Sequence, residues 1–152
     1  MFNKILIAID AGPPAAQALQ AAAELAGQID AEVAVLHVVD ITVPFQPELE
    51  TTSAAEIARL RRAGTDLMGG VTINARRFLV EGDPADAIIT TAQEWGADLI
   101  VLGSDSRGRL AHFLLGSTAD SVIRRSPCPV MTVRVRSDQK QTAAISSGSR
   151  TL

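Results

Sequence analysis

The sequence predicts an α/β protein built on a mainly parallel sheet. Three observations carry that prediction. Short apolar runs of strand length alternate with longer segments of helical spacing, in the order β-α-β-α-β-α-β-α-β. The runs are continuous stretches of Val, Ile and Leu, as strands covered on both faces are. The apolar share is 47% but aromatics make up only 3%, so small aliphatic side chains must fill the core, which suits helices laid on a sheet. Alternation of this kind implies right-handed crossovers.

The first strand is expected over Lys4 to Asp10 (KILIAID), closed by a carboxylate. Gly12-Pro13-Pro14 follows, and proline is tolerated in a helix's first turn, so a helix begins there. Ala16, Leu19, Ala23 and Ala26 recur at helical spacing, with Gly27 as the expected stop. Glu32 to Val39 is the second buried strand, again closed by a carboxylate, Asp40. Ile41 to Thr52 holds Pro44 and Pro47 and has no period, so it reads as a loop. Ser53 to Met68 reads as a helix with Ile57, Leu60 and Leu67 inward and Arg59, Arg61 and Arg62 on a solvated face. Gly64 weakens it, and Gly69-Gly70 ends it.

Val71 to Val80 alternates in part, and Arg76 and Arg77 make it the least buried strand, nearest an edge. Asp83 is the expected N-cap of the next helix, with Pro84 at its first position, an apolar face of Ala85, Ile88, Ile89 and Ala92, and Gly96 as the stop. Trp95 is expected to pack over the core. Asp98 to Gly103 is the fourth strand. Ser117-Thr118-Ala119-Asp120 resembles a capping box, opening a helix that runs to about Arg125. Val130 to Val135 is the last strand. Ser137 to Leu152 is polar and bears Gly and Ser, the composition of a disordered tail.

With 152 residues the chain fits one domain with a core of its own. A net charge of -3 offers nothing to attract nucleic acid or an anionic membrane. The single cysteine, Cys128, excludes an internal disulfide, and with no secretory signal this points to a reducing, cytoplasmic setting. The apolar run after Lys4 is interrupted at Asp10, too soon for a signal sequence or a membrane span.

The residues that point to a site run from Leu99 to Thr118: a buried strand, a loop bearing Gly, Ser and Arg, and a glycine opening a helix. Small residues let a ligand approach the backbone closely, and a helix start offers unpaired N–H groups and a partial positive charge, which suits phosphate. In open parallel sheets ligands bind beyond the carboxyl ends of strands, where the strand order reverses. Asp10, the Val38-Val39-Asp40 segment and Gly103 all stand at such ends. Arg107 and Arg109 add guanidinium groups that match phosphate geometry.

Rival motifs are absent. No lysine follows a glycine run as in a P-loop, and no G-x-S-x-G elbow surrounds Ser104, Asp105 or His112. A flavodoxin-like site wants hydroxyls after the first strand, where Ala11-Gly12-Pro13-Pro14 stands. A phosphoreceiver wants an aspartate after the third, where Val80-Glu81 stands. Beside these readings, Asp10 equally suits a cap of the following turn, His37 a satisfied core histidine, and Cys128 a small buried hydrophobe.

KILIAID, Leu36-His37-Val38-Val39-Asp40, Gly82-Asp83-Pro84, GADLIVLGS at Gly96 to Ser104, LLGST at Leu114 to Thr118 and SPCPVMTV at Ser126 to Val133 together resemble the universal stress protein family over residues 1–136. The resemblance implies a three-layer α/β/α sandwich with a five-stranded parallel sheet of order 3-2-1-4-5. It also implies a homodimer paired through the last strand, Pro129 to Val135. One branch of the family binds ATP through G-x2-G-x9-G-S/T. Carried over residue by residue, that motif falls on Gly103, Gly116 and Ser117, with Thr118 and Arg107 beside it. Asp10 matches an aspartate near the ribose and adenine, and Val38 a position whose backbone meets the adenine.

The implied ligand is ATP or another adenine nucleotide, with or without Mg2+, held as a regulatory or stress-response module. No nucleophile–base pair marks an enzyme, and slow ATP hydrolysis is the most the residues suggest. The alternative is a nucleotide-free dimeric interaction protein of the same fold, with no nucleic acid and no membrane as partner. That alternative arises because Ser106 stands where the motif has its second glycine, and Ala11-Gly12 replaces the family's usual Gly-Ser. If the backbone at 106 is left-handed, serine costs roughly 1 kcal/mol or more. Ser106→Gly is therefore expected to tighten ATP binding about tenfold in a calorimetric titration; equal or weaker binding would show that the serine is no handicap.

Overall fold

The computed structural model describes residues 1–10, 14–42, 52–104 and 116–134. Five parallel strands, β1 (Lys4–Ala8), β2 (Glu32–Asp40), β3 (Arg76–Gly82), β4 (Leu99–Ser104) and β5 (Val130–Arg134), form one sheet of order β3-β2-β1-β4-β5. Four helices connect them: α1 (Pro14–Ile29), α2 (Thr52–Gly69), α3 (Pro84–Trp95) and α4 (Ser117–Arg125). Fold class and strand order are those the sequence implied.

Alternation along the strands divides the core in two. Ile5, Ile7, Val35, Leu99 and Val101 face α1 and α2, where Ala18, Ala22 and Met68 meet them. Leu6, Leu36, Ile100 and Leu102 face α3 and α4, where Ile88, Ala92 and Val122 meet them. Ile5, Leu6 and Ile7 of β1 have no exposed surface at all, and each such side chain contributes about 1.5–3 kcal/mol by leaving water. β1 is paired on both sides: Ile5 lies opposite Val33 and Leu99, Ala8 opposite Leu36 and Leu102.

The start of β1 is held by a polar clasp. Asn3 N and Lys4 N donate to the two oxygens of Asp98, at 2.8 and 2.9 Å. Lys4 Nζ donates to the Trp95 carbonyl at 3.2 Å and lies 5.2 Å from the ring centroid. The Trp95 ring meets Phe78 edge-on at 6.4 Å, so it packs over the second core as expected.

Asp83 caps α3 by accepting from Asp86 N at 3.0 Å, Pro84 opens the helix, and Gly96 closes it at φ 77. α1 departs from expectation in two ways. Its buried stripe is Ala15, Ala18, Ala22 and Ala26, whereas Ala16 is exposed. Alanines crowd this helix so densely that periodicity alone cannot choose between neighbouring stripes. The helix also passes Gly27 and ends at Ile29. Asp30 takes the left-handed conformation, at φ 56, and Ala31 N donates back to Ala26 O at 3.1 Å. Aspartate tolerates that conformation better than most residues, so it closes the helix where glycine was expected to.

β3 begins only at Arg76, later than the alternation from Val71 suggested, and it is the least buried strand as predicted. Arg77 Nη2 donates to Val71 O at 2.7 Å, which ties the preceding turn to the strand. The expected arginine face of α2 is exposed but engaged: Arg59 pairs with Glu56, and Arg61 with Glu81 of β3. The Arg61 hydrogen bond holds the Glu81 carboxyl below its ordinary range. The pair's small contribution is thus present above the usual glutamate range and is lost as pH falls through the lowered value. The loop expected over 41–52 falls mostly, and the tail expected over 137–152 entirely, outside the described residues.

Candidate functional site

β1 is five residues long and β2 is nine, and that difference shapes the site. The ladder between them ends at Ala8 opposite Leu36, so His37, Val38, Val39 and Asp40 run on past the end of β1. One more bond, from Ile9 N to Leu36 O at 2.9 Å, shows that the Leu36 backbone faces β1. Ladder bonds alternate sides along a strand, so the Val38 backbone groups face the same way, beyond the last rung. On its other flank β1 pairs with β4 as far as Leu102. The chain after β1 crosses to one face of the sheet and the chain after β4 to the other, which is the switch point where open α/β sheets bind ligands.

A cavity of about 410 Å³ lies over these strand ends. β1 and the residues after it contribute Ala8, Ile9 and Asp10. β2 contributes Leu36 to Asp40, and β4 contributes Leu102 and Gly103. Leu60, Ala63 and Leu67 of α2 add apolar surface, and Thr118 and Ala119 bring the first turn of α4. Asp40 shares the cavity while its Oδ1 accepts from Thr42 N and Thr42 Oγ1, at 2.8 and 2.6 Å.

Ala15, Pro84 and Thr118 bring the first turns of α1, α3 and α4 to the cavity, and the starts of α3 and α4 differ. The first turn of α3 is capped by the Asp83 side chain, and Pro84 has no N–H to offer. α4 has Gly116 as its N-cap, at φ 50 and ψ 154, with no side-chain cap. The expected capping box does not form. Ser117 is the first helical residue and not the cap, so it stands one position too late to reach the third N–H of the turn. Asp120 N bonds Gly116 O at 3.1 Å, and the N–H groups before it have no intrahelical acceptor. Of these two, the positive end of α4 is therefore the one presented to an anion.

Of the expected site residues, Asp10, Val38, Gly103 and Thr118 line one cavity. Gly116 and Ser117 sit at the entry of α4 next to Thr118, though they are not among the lining residues. Ser106 and Arg107, like Arg109 and His112, lie outside the described residues. The contribution of α2 was missed. Its Leu60, Ala63 and Leu67 share a helical face visible in the sequence, but periodicity does not say which strand end that face meets. His37 is hydrogen-bonded, with Nδ1 2.8 Å from Ile9 O, but it is only half-buried and lines the cavity, so it is not the core histidine expected.

Fold and cavity together define a doubly wound α/β protein with a cleft at the switch point of its sheet. Residues 1–134 match the model of the universal stress protein family. Universal stress protein YxiE of Bacillus subtilis is 32% identical over 148 residues, covering 88% of this chain and all of that one. Among solved structures, UspA from Lactobacillus plantarum has a TM-score of 0.66 at 26% identity, covering 88% of this chain and 98% of that one. The chain belongs to the universal stress protein family. Two more distant neighbours share the fold, both at a TM-score of 0.56. A universal stress protein in complex with cAMP is 24% identical over 88% of this chain and 97% of its own. An Arabidopsis thaliana family member with AMP bound is 20% identical over 90% and 94%.

The Gly116 backbone lies in a region of φ and ψ that only glycine adopts at ease, although no atom of the described residues stands within 4 Å of where a Cβ would be. Gly116→Ala should therefore cost roughly 1–3 kcal/mol through strain alone. Gly116→Asn should be no better, because asparagine eases only the ordinary left-handed conformation. Urea denaturation of the three proteins checks this; an asparagine variant as stable as the parent would show that the helix entry is not held where described.

Proposed function

We propose that this protein binds an adenine nucleotide in the cleft over β1, β2 and β4 and acts as a regulatory or stress-response module. The observation that carries the reading is the glycine-capped start of α4 meeting the same cavity as Asp10 and Val38. The N–H groups of that turn and the Ser117 and Thr118 hydroxyls suit phosphate oxygens. A carboxylate accepts but does not donate, so Asp10 suits the hydroxyls of a ribose. The Val38 backbone offers both an N–H and a C=O to the edge of a base, and the apolar side chains of β2 and α2 suit its faces. The cAMP and AMP complexes of the distant neighbours contribute the precedent that this fold accommodates such ligands.

ATP, with Mg2+ on its phosphates, is the nucleotide we favour, because Gly103, Gly116 and Ser117 keep the spacing of the ATP-binding branch. Gly103 and Thr118 both line the cavity. By the spacing of that motif, Ser106 and Arg107 are also assigned to the proposed site. The reading is of a binding module in the cytoplasm and not of a dedicated enzyme, with slow ATP hydrolysis its upper limit.

Denaturing the purified protein and chromatographing the supernatant should release an adenine nucleotide. The nucleotide-free protein should melt at a higher temperature with ATP present, a gain of about 2.7 kcal/mol at a hundredfold excess over Kd. Asp10→Ala should lose most of that gain. No released nucleotide and no shift with millimolar ATP, AMP or cAMP would sink the reading.

A second proposal concerns β5, which lies at one edge of the sheet with Val130, Met131, Thr132 and Val133 half-buried. The opposite edge, β3, carries Arg76, Arg77 and Glu81, charges that discourage strand pairing. We propose that the chain forms a homodimer through Pro129 to Val135. Light scattering should give twice the monomer mass, and Val133→Lys should shift it toward one copy; a monomeric parent protein would refute this.

A further inference from the structure

We infer that His37 is the positioning residue for Asp10, and that Gly64 is the notch in α2 that admits it. The hydrogen bond at 2.8 Å joins His37 Nδ1 to the carbonyl of Ile9. That carbonyl belongs to the peptide unit whose nitrogen is Asp10's own. A carbonyl can only accept, so Nδ1 carries the proton and Nε2 does not when the ring is neutral. Because a peptide unit is planar, fixing its C=O direction also fixes its N–H and the direction in which Asp10 leaves β1.

The ladder alone does not supply this control. β1 ends at Ala8, and the last rung is Ile9 N to Leu36 O. Were the ladder continued, the Ile9 carbonyl would accept from the Val38 N–H. His37 donates to that carbonyl from its side chain, so the Val38 N–H is not required there and can serve a ligand. One imidazole thus sets two features of the cleft: the orientation of the Asp10 backbone and the availability of Val38.

Gly64 is the independent observation. It is buried in the middle of α2, where glycine costs a helix about 1 kcal/mol relative to alanine. A Cβ built there would lie 2.9 Å from His37 Cδ2, 3.4 Å from Nε2 and 3.0 Å from Leu79 Cδ1. Leu79 lies opposite His37 on β3 and is partly exposed, so it can give way. The ring is tethered to Ile9 and cannot without losing its bond. The glycine that weakens the helix in sequence terms is the space the ring occupies.

Three measurements test this. In the unmodified protein, free of nucleotide and at neutral to alkaline pH, 15N spectra of the imidazole should show the proton on Nδ1. His37→Asn places an amide donor near the position of Nδ1, whereas His37→Leu keeps apolar bulk without a donor. Ile9 and Asp10 amides should exchange faster in the leucine variant and at nearly the parent rate in the asparagine variant. Gly64→Ala, which keeps the histidine but crowds it, should also speed exchange at Asp10, and it serves in place of a leucine variant that fails to fold.

The affinity arm rests on the proposed nucleotide site. There the leucine variant should bind on the order of tenfold more weakly than the parent, and asparagine should recover most of the loss. A packing role predicts the reverse order, since leucine fills the space better. A proton on Nε2, or an asparagine variant exchanging as fast as leucine, would overturn the assignment whether or not nucleotide binds. If the parent protein binds no nucleotide, the functional reading fails and the spectra and exchange rates alone decide the role of His37.

Discussion

β1 is the strand on which the rest of the molecule depends. It lies between β2 and β4, it is buried on both faces, and the winding of the chain reverses across it. A buried strand must satisfy every backbone donor and acceptor within the protein, and β1 does so by pairing on both sides. Its entry is tied down by Asp98. Its exit, by contrast, comes early, while β2 continues to Asp40. Since the helices after β1 and β4 pass to opposite faces, the space beyond their carboxyl ends is left open. The cleft is thus a consequence of topology and of one short strand, before any side chain is considered.

Local chemistry then decides what such a cleft can hold. α1, α3 and α4 all begin beside it, and a helix start is an anion site only where its N–H groups are not already taken. Asp83 occupies those of α3, and Pro84 removes another. α4 begins with a glycine whose conformation no other residue adopts comfortably, and among the described residues no side chain caps it. The same cavity is lined by Asp10 and Asp40 and by leucine, valine and alanine side chains. On the proposed reading, an elongated ligand with a phosphate, hydroxyls and a flat apolar part matches these lining residues better than a simple anion does.

Much of the fold was legible because its signals are local. Glu32 to Val39 is too apolar to be anything but buried, and Gly82-Asp83-Pro84 can scarcely do other than start a helix. The misreadings arose where two local solutions lie close in energy. In α1 the alanine stripes are nearly equivalent, so contact with the sheet chose Ala15, Ala18, Ala22 and Ala26 over the stripe containing Ala16. Gly27 and Asp30 both offer helix stops, and the chain used the later one, which delivers it directly into β2. Ser117 looked like a cap, but Gly116 took that position. In the candidate site, Asp10, Val38, Gly103 and Thr118 were legible as strand ends and a helix start, whereas the wall supplied by α2 was not.

The sequence by itself determined the alternation of elements, the carboxylate that closes β2, and the glycine that opens α4. Each of these follows from residue type and spacing within a few positions of the chain. Only the tertiary structure decided that β1 ends short of β2, that α2 brings Leu60 and Ala63 over the strand ends, and that His37 bonds the Ile9 carbonyl beneath Gly64. Those facts are distances between residues far apart in the chain. They are set by how two helices and three strands settle against one another, which no spacing within one segment encodes.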